Sequence, residues 1–496
     1  MYKETLSKDL NKLVRVETAV HLAGKQTVGI GLAVIFLAAV WVVANAFAGG
    51  AENHTFIVAA GVIGGYMALN IGANDVANNV GPAVGSRALT MAGALIIAGV
   101  CESAGAIIAG GDVVKTISKG IIDPGQLADT TTFIWAMMSA LLAAALWINV
   151  ATYIGAPVST THSIVGGVMG GGIAAAGFGI VDWLVMSKIA ASWVISPVLG
   201  GIIAAAFLAF VKAQIIYQPD KIAAAKKWVP VLVALMAGVF SAYLSVKGLK
   251  RIWKPEPWQV TVIGVGAYAI TLAFVKPLIA RRAEGMENRN KSLRTLFSLP
   301  LIIAAALLSF AHGANDVANA VGPLAAIVDS ATTGGISGKV DIPAWVMFVG
   351  AAGITMGLFL FGPKLIRTVG EQITRMNPMR AYCVALSAAI TVIIASALGL
   401  PVSSTHIAVG AVFGVGFYRE YQTARRTHPL HGTIRKEAKK PLESEKQAID
   451  AGEKRRRRKL VRRQHLLTIG AAWVVTVPLS AILAATLFYG MTTVLH

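Results

Sequence analysis

The sequence predicts an all-α polytopic membrane protein made of two inverted-topology repeats with broken, half-membrane helices. Three observations carry that expectation: an apolar composition, a heptapeptide that occurs twice, and a paired set of proline-led hydroxyl motifs. Of 496 residues, 55% are hydrophobic and 14% charged, and the mean hydropathy is +0.66. Thirteen apolar stretches approach the ~20 residues that cross a bilayer as helix. They cover 27–49, 56–83, 88–110, 132–153, 157–180, 184–210, 229–246, 258–280, 297–323, 344–366, 381–399, 401–418 and 466–489. Period-2 alternation is absent, which argues against a β-barrel. Cys101 and Cys383 both lie in apolar segments and suggest neither a disulfide nor a metal cluster.

The formal net charge of +20 is concentrated where it excludes nucleic acid as its cause. Residues 419–463 hold 16 Lys/Arg against 6 Asp/Glu, ending in the run Lys454 to Lys459. That run lacks the interleaved aromatics of a nucleic-acid groove. It reads as a cytoplasmic loop attracted to anionic headgroups. With the basic N-terminus also inside, alternation puts most Lys/Arg-rich loops inside, as the positive-inside rule requires. Lys247, Lys250, Arg251 and Lys254 are the exception, falling outside.

The doubled heptapeptide is Gly72-Ala73-Asn74-Asp75-Val76-Ala77-Asn78, repeated identically from Gly313 to Asn319. An Asp inside a membrane helix costs roughly 2.5–3.5 kcal/mol on insertion scales, so two such acids at the ends of apolar runs mark a functional site. Seven crossings separate the copies, so they run in opposite senses and the repeats are inverted. The count takes 157–180 as a single crossing. Further pairs extend the repeat: Gly105, Gly110 and Thr116 with Gly357, Gly362 and Thr368, and Trp193 to Phe207 with Trp473 to Leu487. The expected organisation is an N-terminal region with an extra span (1–55), a first repeat (56–210), linking segments (211–296), and a second repeat (297–418). The basic loop (419–465) interrupts that repeat before its last span (466–496).

The second motif pair is Pro157-Val158-Ser159-Thr160-Thr161-His162 and Pro401-Val402-Ser403-Ser404-Thr405-His406. Proline suits the first turn of a helix. A helix starting inside the membrane offers unpaired N–H groups and a positive dipole end to an anion. The hydroxyls add donors without fixed charge. Ser159, Thr160, Thr161, Ser403, Ser404 and Thr405 are therefore expected to hold an oxyanion, with help from the amides of Asn74 and Asn315. Carboxylate and amide oxygens suit a hard cation, which assigns Asp75, Asp316, Asn78 and Asn319 to cation binding. Asn79 is left out because its counterpart is Ala320. Glu102, opposite Ile354, and His312, opposite Ile71, lack symmetric partners and are candidates for a proton or cation site.

These paired motifs resemble the inorganic phosphate transporter (PiT) family, which includes sodium–phosphate symporters and some sulfate permeases. The resemblance covers most of the chain outside the first segment and the basic loop. It implies alternating-access symport with phosphate near the midplane, coupled to Na⁺ or alternatively H⁺, and no cofactor beyond the co-transported ion. Asp75, Asn74, Asp316 and Asn315 would then serve cation and phosphate, and the six hydroxyls phosphate. The family is often dimeric, and it places the chain in the cell membrane. Sulfate is the runner-up substrate. Neither a nucleophile–base spacing nor a phosphate-binding Gly-x-x-x-x-Gly-Lys-Ser/Thr loop is present, so a phosphate-ester enzyme or an ATP-driven pump is not expected.

Overall fold

The computed structural model describes residues 27–49, 53–154, 158–248, 253–335, 340–368, 376–427 and 463–494. Among them every long element is a helix, and the only strand-like feature is a single bridge between Ile122 and Val181. Eleven helical runs are long and apolar enough to cross a membrane. Most of the basic loop lies outside the described residues, as do Pro157, Lys250 and Arg251.

The first repeat comprises α2 (His54–Asn74), α3 (Val76–Gly85), α4 (Met91–Ala109), α5 (Gly111–Lys119), α6 (Thr130–Ile154), α7 (Thr160–Ala176) and α8 (Trp183–Val211). The second comprises α12 (Ser298–Asp316), α13 (Ala318–Thr333), α14 (Ala344–Thr368), α15 (Pro378–Ala397), α16 (Ser404–Thr427) and α17 (Arg463–Val494). Outside this pair lie α1 (Thr27–Phe47), α9 (Lys221–Lys247), α10 (Pro257–Arg282) and the short α11 (Asn290–Leu296). Only 6% of the apolar window of α10 is buried, against 83% for α12–α13. α10 packs on α9 through Gly238 and Gly264 and leaves its remaining faces for lipid.

Glycines show how the repeats interlock. A Cβ on Gly72 would stand 1.9 Å from the Ile354 carbonyl, and one on Gly313 would stand 2.1 Å from the Glu102 carbonyl. Likewise Gly357 abuts the Leu69 carbonyl and Gly105 that of Phe310. Each contact thus occurs twice, and each joins a motif helix of one repeat to a helix of the other. Such backbone approach through small residues is how helices associate in lipid. The pattern continues at the other pole, where Gly166 and Gly170 meet Val477 and Ala481 on α17, and Gly410 and Gly414 meet Pro197 and Gly201 on α8.

The same contacts give direction. Gly61 neighbours Trp345, Ala68 neighbours Gly353, and Leu69 neighbours Gly357, so α2 and α14 run parallel. Gly64 meets Leu324 while Asp75 meets Asp316, so α2 and the α12–α13 run pass each other in opposite senses.

α6 and α7 form a hairpin whose tip reaches the motif helix at Asn74 and Asp75. They pack antiparallel, Gly167 against Ala140 and Gly171 against Ala136. The hairpin returns to its starting end, where Asp123 N donates to Ile180 O (2.8 Å) and Asp182 N to Ile121 O (3.0 Å). With both arms counted, the parity of the loops after it is unchanged. α15 and α16 make the equivalent hairpin.

Candidate functional site

The site is assembled where the two hairpin tips meet the two motif helices. Each motif helix is interrupted by one residue there. Asp75 separates α2 from α3 and Val317 separates α12 from α13, both still in right-handed helical geometry. These are slight offsets; the open breaks lie at the hairpin tips, at the proline-led motifs, where chain around 158–159 and 398–403 is not helical. Pro82 and Pro323 fall four residues after Asn78 and Asn319. Lacking an N–H, each proline deprives that asparagine's carbonyl of its helical partner.

The hairpin tips are capped by serine, not opened by proline. Ser159 precedes α7 and accepts from His162 N at 3.1 Å, and Ser403 accepts from His406 N at 3.3 Å. Pro401 lies two residues upstream of that cap. The reason is that a cap needs an acceptor for an orphan N–H, which a hydroxyl supplies and a proline ring does not. His162 lies 2.7 Å from Ser159 Oγ through Nδ1 and stacks on Trp193, whose indole donates to the Pro401 carbonyl at 3.1 Å. His162 and His406 meet edge-on at a centroid distance of 4.7 Å, so the two tips touch. The second tip turns at Gly399, whose φ of +69° is left-handed and suits glycine. Thr116 of α5 donates to its carbonyl at 2.7 Å.

Each motif touches both hairpins. Its first asparagine binds the hairpin of its own repeat: Asn74 Nδ2 donates to Thr152 Oγ1 (2.8 Å), and Asn315 Nδ2 to Ser396 Oγ (2.9 Å). Its second binds the opposite hairpin: Asn78 Nδ2 donates to Thr405 Oγ1 (2.9 Å), and Asn319 Nδ2 to Thr160 Oγ1 (3.1 Å). Asn315 also receives Val402 N at 3.2 Å. Asn74 and Asn78 therefore serve different partners.

The hydroxyls and carboxylates, assigned above to separate ions, are bonded to one another. Thr160 donates to Asp75 Oδ2 at 2.6 Å, and Thr405 faces Asp75 Oδ1 at 3.3 Å. Thr161 Oγ1 lies 3.1 Å from Asp316 Oδ1, which also accepts from Asn319 at 2.9 Å. Ser404 Oγ is buried without a partner. All fourteen residues singled out by sequence are buried.

A second cluster exists on one side only. Asn79 Nδ2 donates to Glu102 Oε1 at 2.8 Å, and Glu102 Oε2 lies 2.6 Å from His312 Nδ1. His312 Nε2 reaches to 2.9 Å of Asp316 Oδ2, off the line of a hydrogen bond. The equivalent positions are Ala320, Ile354 and Ile71. Asn79 was passed over for lacking a twin, yet its partner lacks one too. Thr152 and Ser396 were missed as well, being single hydroxyls within apolar helices.

Atoms of Asp75, His312 and Asp316 that could ligate an ion lie within 4.8 Å of one another. Two carboxylates at that range repel by on the order of 3 kcal/mol even at an effective dielectric near 20. Oxygens of Asn74 and Asn319 are buried without hydrogen-bond donors, and Oδ2 of Asp316 has the off-line His312 Nε2 beside it. This donor set of carboxylate and amide oxygens suits a hard monovalent or divalent cation, while neighbouring hydroxyls and amides suit an oxyanion.

The sequence profile of the Phosphate transporter family matches residues 71–484, spanning both motifs and both hairpins. The chain belongs to that family. It is 47% identical to a "Putative phosphate permease" of Helicobacter pylori over 97% of this chain and 98% of that protein. A Pyrococcus abyssi protein bearing the same description is 38% identical over 72% of this chain and 88% of its own length. Among solved structures, "The sodium-dependent phosphate transporter" superposes with a TM-score of 0.78 at 34% identity, covering 89% of this chain and 100% of that one. The chain is a multi-pass membrane protein of a transporter family rather than an enzyme.

Proposed function

We propose that this phosphate transporter family member is a secondary active symporter that imports inorganic phosphate with a cation by alternating access. The observation that carries the reading is the meeting of Asp75 and Asp316 among the hydroxyls of both hairpin tips. Two buried carboxylates this close favour a cation between them. Once a cation draws the carboxylates, Thr160, Thr161 and Thr405 are released to donate to an anion. Anion and cation then enter together, because each relieves the cost that the other would meet alone.

Na⁺ is the favoured coupling ion, since the donor set is complete in both motifs and the solved relative is described as sodium-dependent. A second reading, H⁺ coupling, draws on His312 bridging Glu102 and Asp316. Phosphate is favoured over sulfate because near neutral pH it carries a proton that Asp75 or Asp316 accepts, and sulfate does not. The positive-inside rule assigns the end bearing Arg281, Arg289 and the 419–465 loop to the cytoplasm of a cell membrane. The test is uptake of labelled phosphate into proteoliposomes, with Na⁺ and pH gradients imposed separately and sulfate as competitor. Accumulation under a Na⁺ gradient alone is expected. No accumulation under either gradient overturns symport.

A further inference from the structure

At the basic end of the bundle, the ends of α3, α11, α12 and α15 leave a cavity of about 440 Å³ lined by Ser86, Arg87, Arg294, Ser298, Asn377 and Arg380 among others. Three arginines line it, and among the described residues no Asp or Glu does. Among the described residues, the charges acting on Arg380 are those of Arg419 and Arg294, both of its own sign. Concentrating arginines without acids is unfavourable unless an anion is bound, because like charges repel.

Local structure aims these groups. Asn377 Oδ1 accepts from both N and Nε of Arg380 at 3.0 Å, fixing the guanidinium and leaving its terminal nitrogens to donate. Arg87 closes α3 with a φ of +63°, and is the only described non-glycine residue with positive φ. Ala88 N bonds back to Ala83 O at 2.9 Å, the helix-ending turn in which glycine is usual at Arg87's position. An arginine kept in that backbone conformation projects its side chain beside the other two.

We propose that Arg87, Arg294 and Arg380 form a second anion site, distinct from the one between the hairpins, that takes a phosphate group. Guanidinium forks match phosphate oxygens in pairs, and the hydroxyls of Ser86 and Ser298 lie in the same wall. The occupant is either free phosphate or the headgroup of an anionic lipid. The assignment goes beyond the transport reading, and its test requires no uptake.

The test is the rate of phenylglyoxal modification at each arginine, read by mass spectrometry on the full chain in phosphatidylcholine nanodiscs. Inorganic phosphate at twice its dissociation constant is expected to slow all three about threefold by mass action, with chloride at equal ionic strength doing nothing. Arg380→Gln, checked for an unchanged elution profile, should remove the protection of Arg87 and Arg294 together. Arg294→Gln should do the same for Arg87 and Arg380. Protection in phosphatidylglycerol nanodiscs without added phosphate identifies the headgroup as occupant. If neither phosphate nor phosphatidylglycerol protects, or if the three arginines respond independently, the site does not exist. Failure of wild-type uptake would defeat the symport reading and leave this result untouched.

Discussion

Glu102 and His312 come from different repeats and approach to 2.6 Å, both fully buried. Positions equivalent to them by the internal repeat are Ile354 and Ile71, so the same architecture holds an apolar pair on its other side. Removing one partner of a buried pair leaves the other uncompensated and costs about 3–5 kcal/mol, whereas replacing both by packed apolar groups is often near neutral. Glu102→Ile and His312→Ile should each lower the thermal midpoint in detergent. Combining them with Asn79→Ala should restore most of it. Additive losses would show that the pair does not act as a unit.

Neutralising either motif acid should stop accumulation. Asp75→Asn and Asp316→Asn keep the shape of the side chain and remove the charge that draws the cation. Gradient-driven phosphate uptake is expected to fall to background in both, with membrane insertion unchanged by fractionation. Wild-type accumulation in either variant would show that the carboxylate is structural.

Gly72 and Gly313 have no room for a methyl group, since a Cβ would stand 1.9 Å from Ile354 O in one case and 2.1 Å from Glu102 O in the other. Gly72→Ala and Gly313→Ala should each destabilise by about 3 kcal/mol or more, read as a lowered thermal midpoint. Gly266→Ala on α10, where nothing lies within 4 Å, should leave the midpoint unchanged.

Thr152 and Ser396 receive the first asparagine of each motif. Thr152→Val and Ser396→Ala remove an acceptor from a buried amide, a loss of about 1–3 kcal/mol each. Because these bonds tie each hairpin to its own motif helix, both variants should also slow uptake. An effect from only one of them would show that the repeats are unequal in the transport cycle.

The run Arg455 to Arg458 is expected to be dispensable for phosphate movement. Neutralising all four should leave uptake kinetics within about twofold of wild type, since the run contributes no residue to the paired motifs. A collapse of transport would assign that loop a direct role.

The doubled heptapeptide and the paired hydroxyl motifs were legible because each is contiguous in sequence, and the apolar stretches because length and composition suffice to find them. What stayed hidden depends on how segments cross. The swap by which Asn78 binds Thr405, while Asn74 binds Thr152, follows from hairpin tips turning back, and no spacing encodes it. The stretch 157–180 looked like a span because most of it is apolar, yet α7 within it starts at a hairpin tip and forms one arm of the hairpin. Symmetry itself misled at Asn79, where three polar residues are replaced together in the other half. Lys247, which broke the positive-inside pattern, is held by Asp112 at 2.6 Å and by the Ala397 carbonyl at 2.9 Å. Those bonds hold it at that end whatever the loop-charge rule would favour.

The interleaving of the two halves sets an order on biogenesis. Asp75 faces a hydroxyl on residue 405, and Gly72 is shaped to the backbone of residue 354, so an amino-terminal half leaving the ribosome has no finished surface of its own. Its polar centre must wait in the lipid, or in the insertion machinery, until the carboxy-terminal half arrives. A nascent chain stalled before Thr405 would be a substrate for membrane proteases, and the two halves expressed from separate genes would each be degraded unless synthesised together.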